Sequence, residues 1–338
     1  MKSVVLFNNK GGVGKTTLTF HLAHMAARLG QRVAVLDYDP QCNLSSIFLR
    51  EDEIEDLWSA AGAGRTVSSC IEPVRRGKGS VARPEVRSVA DQLWLLPGHL
   101  DLSRFEQELA QQWPQTMSAA NERALDVVTA LDVLANTVAE QVAADLVFID
   151  VGPSLGALNR AALLACDAVV LPLAPDLFSL QGMRNVGPML RSWRADWRIV
   201  RERHMVGRDQ AALPPHEFRP IGYVVQQHLA RKDQAVKGYA KWAEAIPATF
   251  RKEVLEEAPS GGEVLVDADE WCLASIRHFA SLVPIAQQAR KPMFDLRQAD
   301  GIGGGQIQAV ARCRAEFGRL VQKLVDRLAG AATTETTN

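Results

Sequence analysis

A chain of 338 residues is long enough for one large domain or two ordinary ones. Its composition, with 47% hydrophobic and 23% charged residues, is typical of globular proteins and excludes a disordered chain, a collagen and a disulfide scaffold. The 38 basic and 39 acidic side chains give a net charge of −1, so binding to nucleic acid would require a local cluster of basic residues.

The cysteines and the apolar segments predict a cytoplasmic protein. The five cysteines lack the paired spacing of a metal site, which predicts reduced thiols. No apolar stretch approaches the roughly 18 residues that a membrane-spanning helix needs. The apolar run Val4–Phe7 is also too short for a secretory signal.

Short apolar runs alternate with helical patterns along the chain. The run Val4–Phe7 is followed by a helical pattern over Lys15–Leu29, and Arg32–Asp37 is the next candidate strand. Later candidate strands are Asp145–Asp150, Ala168–Leu173 and Pro220–Val225. Because apolar strands separated by helices are typical of a parallel sheet covered on both faces, we expect a doubly wound, mostly parallel α/β fold flanked by helices.

We expect residues 1–330 to form a single domain. The segment Arg50–Asp91 is less regular and rich in glycine, serine and basic residues, which predicts a surface insertion. Residues 265–330 are predicted to form a helical C-terminal part, and residues 331–338 a flexible tail.

The sequence NNKGGVGKTT, at Asn8–Thr17, lies between the first predicted strand and the first predicted helix. Glycines there let backbone N–H groups turn toward one anion, and the helix N-terminus adds partial positive charge. Lys15 would reach the β- and γ-phosphates of a nucleotide, and the Thr16 hydroxyl would bind Mg²⁺. The candidate phosphate-binding residues are Lys10, Gly11, Gly12, Val13, Gly14, Lys15, Thr16 and Thr17.

The loop departs from the general phosphate-loop pattern at two positions. Asn9 stands where that pattern has a glycine, and Lys10 precedes the glycine pair. From the outer side of the loop, Lys10 can reach a nucleotide held by a second subunit more easily than its own. The alternative is a solvated lysine.

Several segments resemble the ParA/MinD family of P-loop ATPases, between about residues 3 and 230. KGGVGKTT resembles the deviant Walker A motif of that family. Asp37–Asn43 resembles its switch segment, with Cys42 in place of a glycine, and Phe148–Gly156 resembles its Walker B segment, with Gly152 in place of a proline. Further similar stretches are Leu95–Leu102, Leu171–Leu173 and Ser179–Gly182. The N-terminal helix-turn-helix domain of some ParA proteins is not expected.

The resemblance implies roles for individual residues in ATP hydrolysis. Lys10 would enter the partner's site, and Thr17 would bind the α-phosphate. Asp150 would hold Mg²⁺ through a water, Asp37 would support the metal shell, and Asp39 would orient the attacking water. Capping of the turn after the strand is the alternative for the two aspartates of the switch segment. Gln226 is a candidate contact to adenine, as is Gln227.

The resemblance further implies a homodimer that sandwiches ATP and binds double-stranded DNA non-specifically in the ATP state. A ParB-like adaptor would then stimulate slow hydrolysis and release the protein, which would serve DNA partition or cargo positioning at the nucleoid. Basic residues that replace phosphate counterions would make the contacts. The candidates are Arg191, Arg194, Arg198, Lys232, Lys237, Arg319 and Lys323. Trp193 and Trp197 are interleaved with them; solvated helix faces with salt bridges are the alternative.

Other functions remain open from the sequence alone. A MinD-like protein would bind membrane through a terminal amphipathic helix, and the apolar residues from Phe317 to Leu328 share one helical face. Packing of that face on the sheet is the interpretation that we favour. A nucleotide-gated interaction switch without a DNA role, or a ligase of the same fold, would also use the loop. His21 and His24 share a helix face, where packing is predicted rather than metal binding.

Overall fold

The computed structural model describes residues 1–59, 64–118, 121–204, 213–214, 218–227, 233–257 and 264–333. Its strands are β1 (Lys2–Leu6), β2 (Val33–Asp37), β3 (Arg87–Ala90), β4 (Leu93–Leu96), β5 (Leu146–Asp150), β6 (Ala168–Leu173), β7 (Arg219–Gln227) and β8 (Cys272–Arg277). They form one sheet in the order β3-β4-β2-β5-β1-β6-β7-β8. Parallel pairing predominates and β3 runs antiparallel to β4, so the predicted mostly parallel α/β fold is confirmed.

Helices connect most of these strands. They are α1 (Lys15–Arg28), α2 (Asn43–Phe48), α3 (Glu51–Ser59), α4 (Val67–Arg75), α5 (Leu102–Gln112), α6 (Glu122–Val142), α7 (Ala157–Leu164), α8 (Leu177–His204), α9 (Asp233–Thr249), α10 (Val283–Ala289) and α11 (Gly305–Thr333). The first helix begins at the predicted residue, Lys15. The last helix continues to Thr333, into the predicted tail, and residues 334–338 lie outside the described residues.

Residue contacts divide the chain into two compact units. The first unit consists of residues 1–6, 30–169 and 190–219, and the second of residues 7–29, 170–189 and 220–338. Each unit buries its own set of apolar side chains. The single domain predicted over residues 1–330 stays a prediction.

Within the first unit, β2 and β5 are buried along their whole length, as expected for inner strands of a covered sheet. Their parallel register places Asp37 beside Asp150 at the carboxyl ends of the two strands. In the neighbouring pair, Val5 of β1 lies beside Ile149 of β5. The two carboxylates therefore lie at the edge of the sheet where β1 also ends.

The segment Arg50–Asp91 is more ordered than the sequence indicated. It contains α3, α4 and the edge strand β3, and residues 60–63 lie outside the described residues. The buried residues of α4 are Val67, Cys70, Ile71 and Val74, which pack toward α5 and α6. Pro73 inside α4 and the glycines after it interrupt the helical pattern, which explains why the sequence predicted a surface insertion there.

Within the second unit, the apolar face of α11 packs against α1 and β8. Its buried residues are Phe317, Leu320, Val321, Leu324 and Leu328. Because these residues are covered by the protein itself, the favoured packing interpretation is confirmed. Among the described residues, no helix is both long and apolar enough to cross a bilayer.

His21 of α1 belongs to the same core. Its Nδ1 bonds to the Thr17 carbonyl at 2.7 Å, its Nε2 accepts the Met293 N–H at 3.1 Å, and its ring stacks on Phe317. Burial lowers the pKa of His21 to about 4, so the ring is neutral. Packing rather than metal binding is therefore the role of this histidine, as predicted.

Gly187 and Gly318 offer a matched pair of helix-interior glycines. A Cβ added to Gly187 in α8 would lie 1.9 Å from the Glu253 carbonyl oxygen, whereas a Cβ at Gly318 in α11 would meet nothing within 4 Å. We expect Gly187→Ala to destabilise the protein by about 2 kcal/mol or more, because backbone must move. Gly318→Ala should stabilise it by about 0.5–1 kcal/mol. Urea unfolding measures both, and equal effects would contradict the close approach at Gly187.

Candidate functional site

The predicted phosphate loop leads from β1 into α1 and lies in the second unit. Gly12 and Gly14 adopt left-handed φ angles of 75° and 71°, which L-residues rarely accept. A Cβ added to Gly11 or Gly12 would meet nothing within 4 Å, so the loop surface there is open. An open glycine turn at a helix N-terminus is the geometry that cradles phosphate groups.

Lys15 begins α1 and is only 7% exposed. Its Nζ donates to the backbone carbonyl oxygens of Asn8, at 3.1 Å, and Lys10, at 3.4 Å. The ammonium is thus held inside the curve of the loop, where phosphate oxygens would replace neutral carbonyls as stronger acceptors. Open glycines and an inward ammonium together fit a nucleotide triphosphate.

Lys10 forms an ion pair within its own chain. Its Nζ contacts Asp176 Oδ2 and lies 5.8 Å from the centre of the Phe178 ring. Asp176 also accepts the Ser179 N–H at 2.8 Å and so caps the start of α8. Burial alone would raise the pKa of Asp176, but the hydrogen bonds from Lys10 and Ser179 outweigh it and hold that pKa below its usual value. Lys10 is therefore not simply solvated, and its role in a second subunit stays a prediction.

Gln226, at the end of β7, contacts the loop. Its Nε2 donates to the Val13 carbonyl at 2.6 Å, and a Cβ on Gly14 would lie 2.4 Å from the same nitrogen. The positive φ angle of Gly14 favours glycine there, and the Gln226 amide occupies the space that a side chain would enter. The structure places Gln226 against the phosphate loop, and its contact to adenine stays a prediction.

Asn8 is a residue that the sequence analysis did not single out. It is 1% exposed, donates from Nδ2 to the Pro172 carbonyl at 2.8 Å, and accepts the Lys10 N–H at 3.0 Å. Asn8 therefore anchors the first residues of the loop to β6. A polar amide directly after the apolar run Val4–Phe7 was the signal that could have identified it.

The three candidate carboxylates lie in the first unit and are buried. Asp37 and Asp150 are 0% exposed and Asp39 is 4% exposed. Asp37 Oδ2 accepts the Ser45 N–H at 2.8 Å and the Ser45 hydroxyl at 2.6 Å. Burial, and less strongly the Asp39 charge, raises the pKa of Asp37 to about 6 against the Ser45 hydrogen bonds, which lower it.

Asp39 lies against the Walker B-like segment. A Cβ added to Gly152 would lie 3.2 Å from Asp39 Oδ1, so the glycine leaves room for this carboxylate beside the chain that follows Asp150. Asp39 Oδ1 also accepts the Gln41 N–H at 2.9 Å. The turn capping that the alternative predicted is therefore present, and it leaves further lone pairs on Asp39 for chemistry.

Cys42 occupies the switch position where the ParA pattern has glycine, and its φ of 53° is left-handed. The backbone thus keeps the conformation that favours glycine although the side chain is present. Burial, together with the charges of Asp37 and Asp39, raises the pKa of the Cys42 thiol. Cysteine in place of glycine therefore adds a protonated, uncharged thiol to the switch segment.

The basic candidates differ in the exposure of their side chains. Arg198 and Arg319 are exposed, and Arg191 and Arg194 are half-buried. Lys323 donates to the Cys272 carbonyl at 2.6 Å, so its ammonium serves the packing of α11 on β8. Lys232 lies outside the described residues, and Lys237 lies on α9.

The tryptophans interleaved with the basic residues belong to the core. Trp193 and Trp197 of α8 are 5% and 1% exposed, and the Trp197 ring packs edge-on to Trp113. Their interleaving with arginines therefore arises from the apolar face of an amphipathic helix. Stacking of these two rings on nucleic acid is excluded by their burial.

Comparisons with known proteins agree with this geometry. The family model described as AAA domain matches residues 1–198. Chromosome partitioning protein ParA of Caulobacter vibrioides is 32% identical over 276 residues, which cover 81% of this chain and 90% of that protein. The chain belongs to the ParA/MinD family of P-loop ATPases. Several other relatives are matched over less of their sequence, and the chain spans between 43% and 64% of their length.

Solved structures show the same ParA/MinD-type fold. Protein DIP2308 from Corynebacterium diphtheriae has a TM-score of 0.69 at 24% identity, covering 97% of this chain and 99% of that one. A putative plasmid partition protein from Borrelia burgdorferi, bound to AMPPNP, has a TM-score of 0.55 at 15% identity, with coverage of 96% and 98%. These two structures support the fold, and the family model and the Caulobacter vibrioides relative confirm the ParA/MinD resemblance of the chain.

Proposed function

We propose that the chain is a ParA-type Mg-ATPase that sandwiches ATP between two subunits and binds double-stranded DNA non-specifically in that state. A ParB-like adaptor stimulates its slow hydrolysis and releases it, so that it partitions DNA or positions cargo at the nucleoid in the cytoplasm. The observation that carries the proposal is the open glycine turn with Lys15 held inside it and Lys10, just before the glycines, paired with Asp176.

ATP binding rests on the loop. The N–H groups from Gly11 to Gly14 and the Lys15 ammonium hold the β- and γ-phosphates, and Thr17 in the first turn of α1 bonds the α-phosphate. The Borrelia burgdorferi neighbour, which binds AMPPNP, supports a triphosphate ligand. Gln226, which already touches Val13, is the candidate for the base.

The Mg²⁺ ion would be held by the Thr16 hydroxyl and, through water, by Asp150, with Asp37 supporting the shell. When bound, the ion neutralises charge on the β- and γ-phosphate oxygens. Asp39 orients the attacking water, and its place beside Gly152 brings it next to the segment that follows Asp150. Precise placement of water and charge is what phosphoryl transfer requires of a protein.

DNA binding requires basic side chains at the protein surface that can reach phosphates. Arg198 and Arg319 are exposed, and the half-buried Arg191 and Arg194 lie on the same helix as Arg198. Lys232 and Lys237 remain part of the proposal, and Lys323 does not, since its ammonium bonds to the Cys272 carbonyl. Burial of the apolar face of α11 favours DNA over a membrane as the surface that is bound.

Duplex DNA binding should need ATP and weaken steeply with salt, because each phosphate contact releases a counterion. We expect Arg198→Ala and Arg319→Ala each to reduce the slope of log K against log salt by about 1. Arg104→Ala is the matched control and should leave the slope unchanged, since that side chain is 72% exposed and is not one of the candidate DNA-binding residues. Fluorescence anisotropy of labelled duplex DNA measures the binding of wild type and the three variants with ATP, with ADP and without nucleotide. ATP-independent binding, or binding to anionic vesicles alone, would contradict the DNA role; binding to neither surface would indicate an interaction switch.

A further inference from the structure

Ser45 joins two segments of the first unit through one hydroxyl group. It lies in α2, just after the switch segment, and is 2% exposed. Its N–H and its hydroxyl both donate to Asp37 Oδ2, at 2.8 and 2.6 Å. Its Oγ also accepts the Gly98 N–H at 2.9 Å. The end of β2 is thereby tied to the loop that follows β4.

Gly98 makes this contact possible. A Cβ at that position would lie 2.9 Å from the Asp37 carbonyl oxygen and 3.1 Å from the Asp37 carboxyl carbon. Neither Asp37 atom can easily move away, because the carbonyl oxygen belongs to the backbone and the carboxyl group is held by the Ser45 hydrogen bonds. A glycine therefore lets the N–H of residue 98 approach Ser45 closely enough to bond.

Asp37 extends the connection to Asp39. The other oxygen of Asp37, Oδ1, accepts the Asp39 N–H at 3.2 Å. With two bonds from Ser45 and one from Asp39, the Asp37 carboxylate fixes where the chain turns after β2. Because buried, fully bonded polar groups hold one arrangement, the direction of the Asp39 side chain depends on this network.

We propose that Ser45 is a positioning residue for ATP hydrolysis, which fixes Asp39 through Asp37 and braces the switch segment against the loop at Gly98. The inference rests on the proposed ATPase function and adds to it a buried residue that acts through its hydrogen bonds to Asp37 and Gly98. Loss of the hydroxyl leaves the buried Gly98 N–H without its acceptor and removes a charge-assisted bond from Asp37. The switch segment would then be less tightly held.

Hydrogen exchange of the amides tests the brace without any nucleotide. In Ser45→Ala we expect the amides of Gly98 and Asp39 to exchange at least about tenfold faster than in wild type, because a lost buried bond lowers the local opening energy. Ser46→Ala is the matched control, since Ser46 is the next residue of α2, is exposed and bonds to the Asn43 carbonyl. Equal exchange in Ser45→Ala and wild type would overturn the brace.

Steady-state kinetics test the effect on the reaction. Ser45→Ala should lower kcat by about 10- to 100-fold while KM for ATP stays within about twofold, because misplacement affects the chemical step more than binding. Ser45→Thr, which keeps a hydroxyl, should recover most of kcat, and melting temperatures identify any variant that fails to fold.

Two outcomes separate this inference from the proposed function. If wild type hydrolyses ATP and folded Ser45→Ala keeps its kcat, or loses kcat only in proportion to a rise in KM, Ser45 is not a positioning residue. If wild type hydrolyses no ATP, with or without DNA, the proposed function fails and the role in hydrolysis fails with it. The exchange experiment then still decides whether Ser45 braces the switch segment.

Discussion

Lys15→Ala should reduce ATP hydrolysis by about 1000-fold, the size of effect found when a single charge-stabilising donor is removed from an active site. The ammonium lies inside the glycine turn, so its removal takes away the positive charge that the proposed site directs at the phosphates. Binding should fall as well, because in the proposed function the ammonium meets the phosphates of bound ATP. Phosphate release and a fluorescent ATP analogue measure the two effects.

Two controls make the Lys15 result specific. Lys252→Ala removes a lysine whose side chain is 71% exposed, and it should leave hydrolysis unchanged. Circular dichroism excludes unfolding, which matters because Lys15 is largely buried. Wild-type turnover by a folded Lys15→Ala protein would mean that ATP does not bind at this loop.

The strands and the first helix could be predicted because their signals are local. β6 has the predicted bounds, Ala168–Leu173, and β2 differs from its prediction by one residue at the start. Both are short apolar runs that end at a polar residue or a turn. α1 was recognisable because the glycines of the loop stop immediately before a helical pattern.

Other elements depend on contacts that a local pattern does not contain. The start of α4 is fixed by reciprocal bonds between Thr66 and Ser69, and serine is not the Glu or Gln of the usual capping-box pattern. β8 was not predicted, because Cys272–Arg277 has mixed burial and gains its place by pairing with β7. Contacts with other parts of the chain therefore determine where α4 begins and why residues 272–277 form a strand.

The site shows the same division between local and distant signals. Lys15 and Asp39 could be named from motifs, since their neighbours in sequence carry the pattern. Ser45 was missed because its importance depends on Gly98, 53 residues away, and the partner of Lys10 is 166 residues away at Asp176. Motifs thus identified the chemical groups, while the structure identified what holds them.

Lys10→Ala should abolish the ATP-induced dimer at protein concentrations where wild type is fully dimeric. A twofold dimer loses two charge-assisted contacts to phosphate, each worth about 1.5–3 kcal/mol. Together they weaken dimerisation by at least about 100-fold. Light scattering with ATP and Mg²⁺ measures the dimer, and hydrolysis by the monomeric variant should remain at or below the unstimulated wild-type rate.

Asp176→Asn provides the opposite change at the same contact. Asn keeps an oxygen that can accept the Ser179 N–H and cap α8, but it releases Lys10 from its ion pair. The two side chains are 27% and 38% exposed, so each pair is worth at most about 1 kcal/mol. Two pairs per dimer then predict dimerisation that is tighter by up to about 30-fold. If Lys10→Ala still dimerises with ATP, Lys10 does not cross to the partner's nucleotide. The same conclusion follows if Asp176→Asn dimerises more weakly than wild type while its melting temperature is unchanged, because a lysine needed in the partner's site must first leave Asp176.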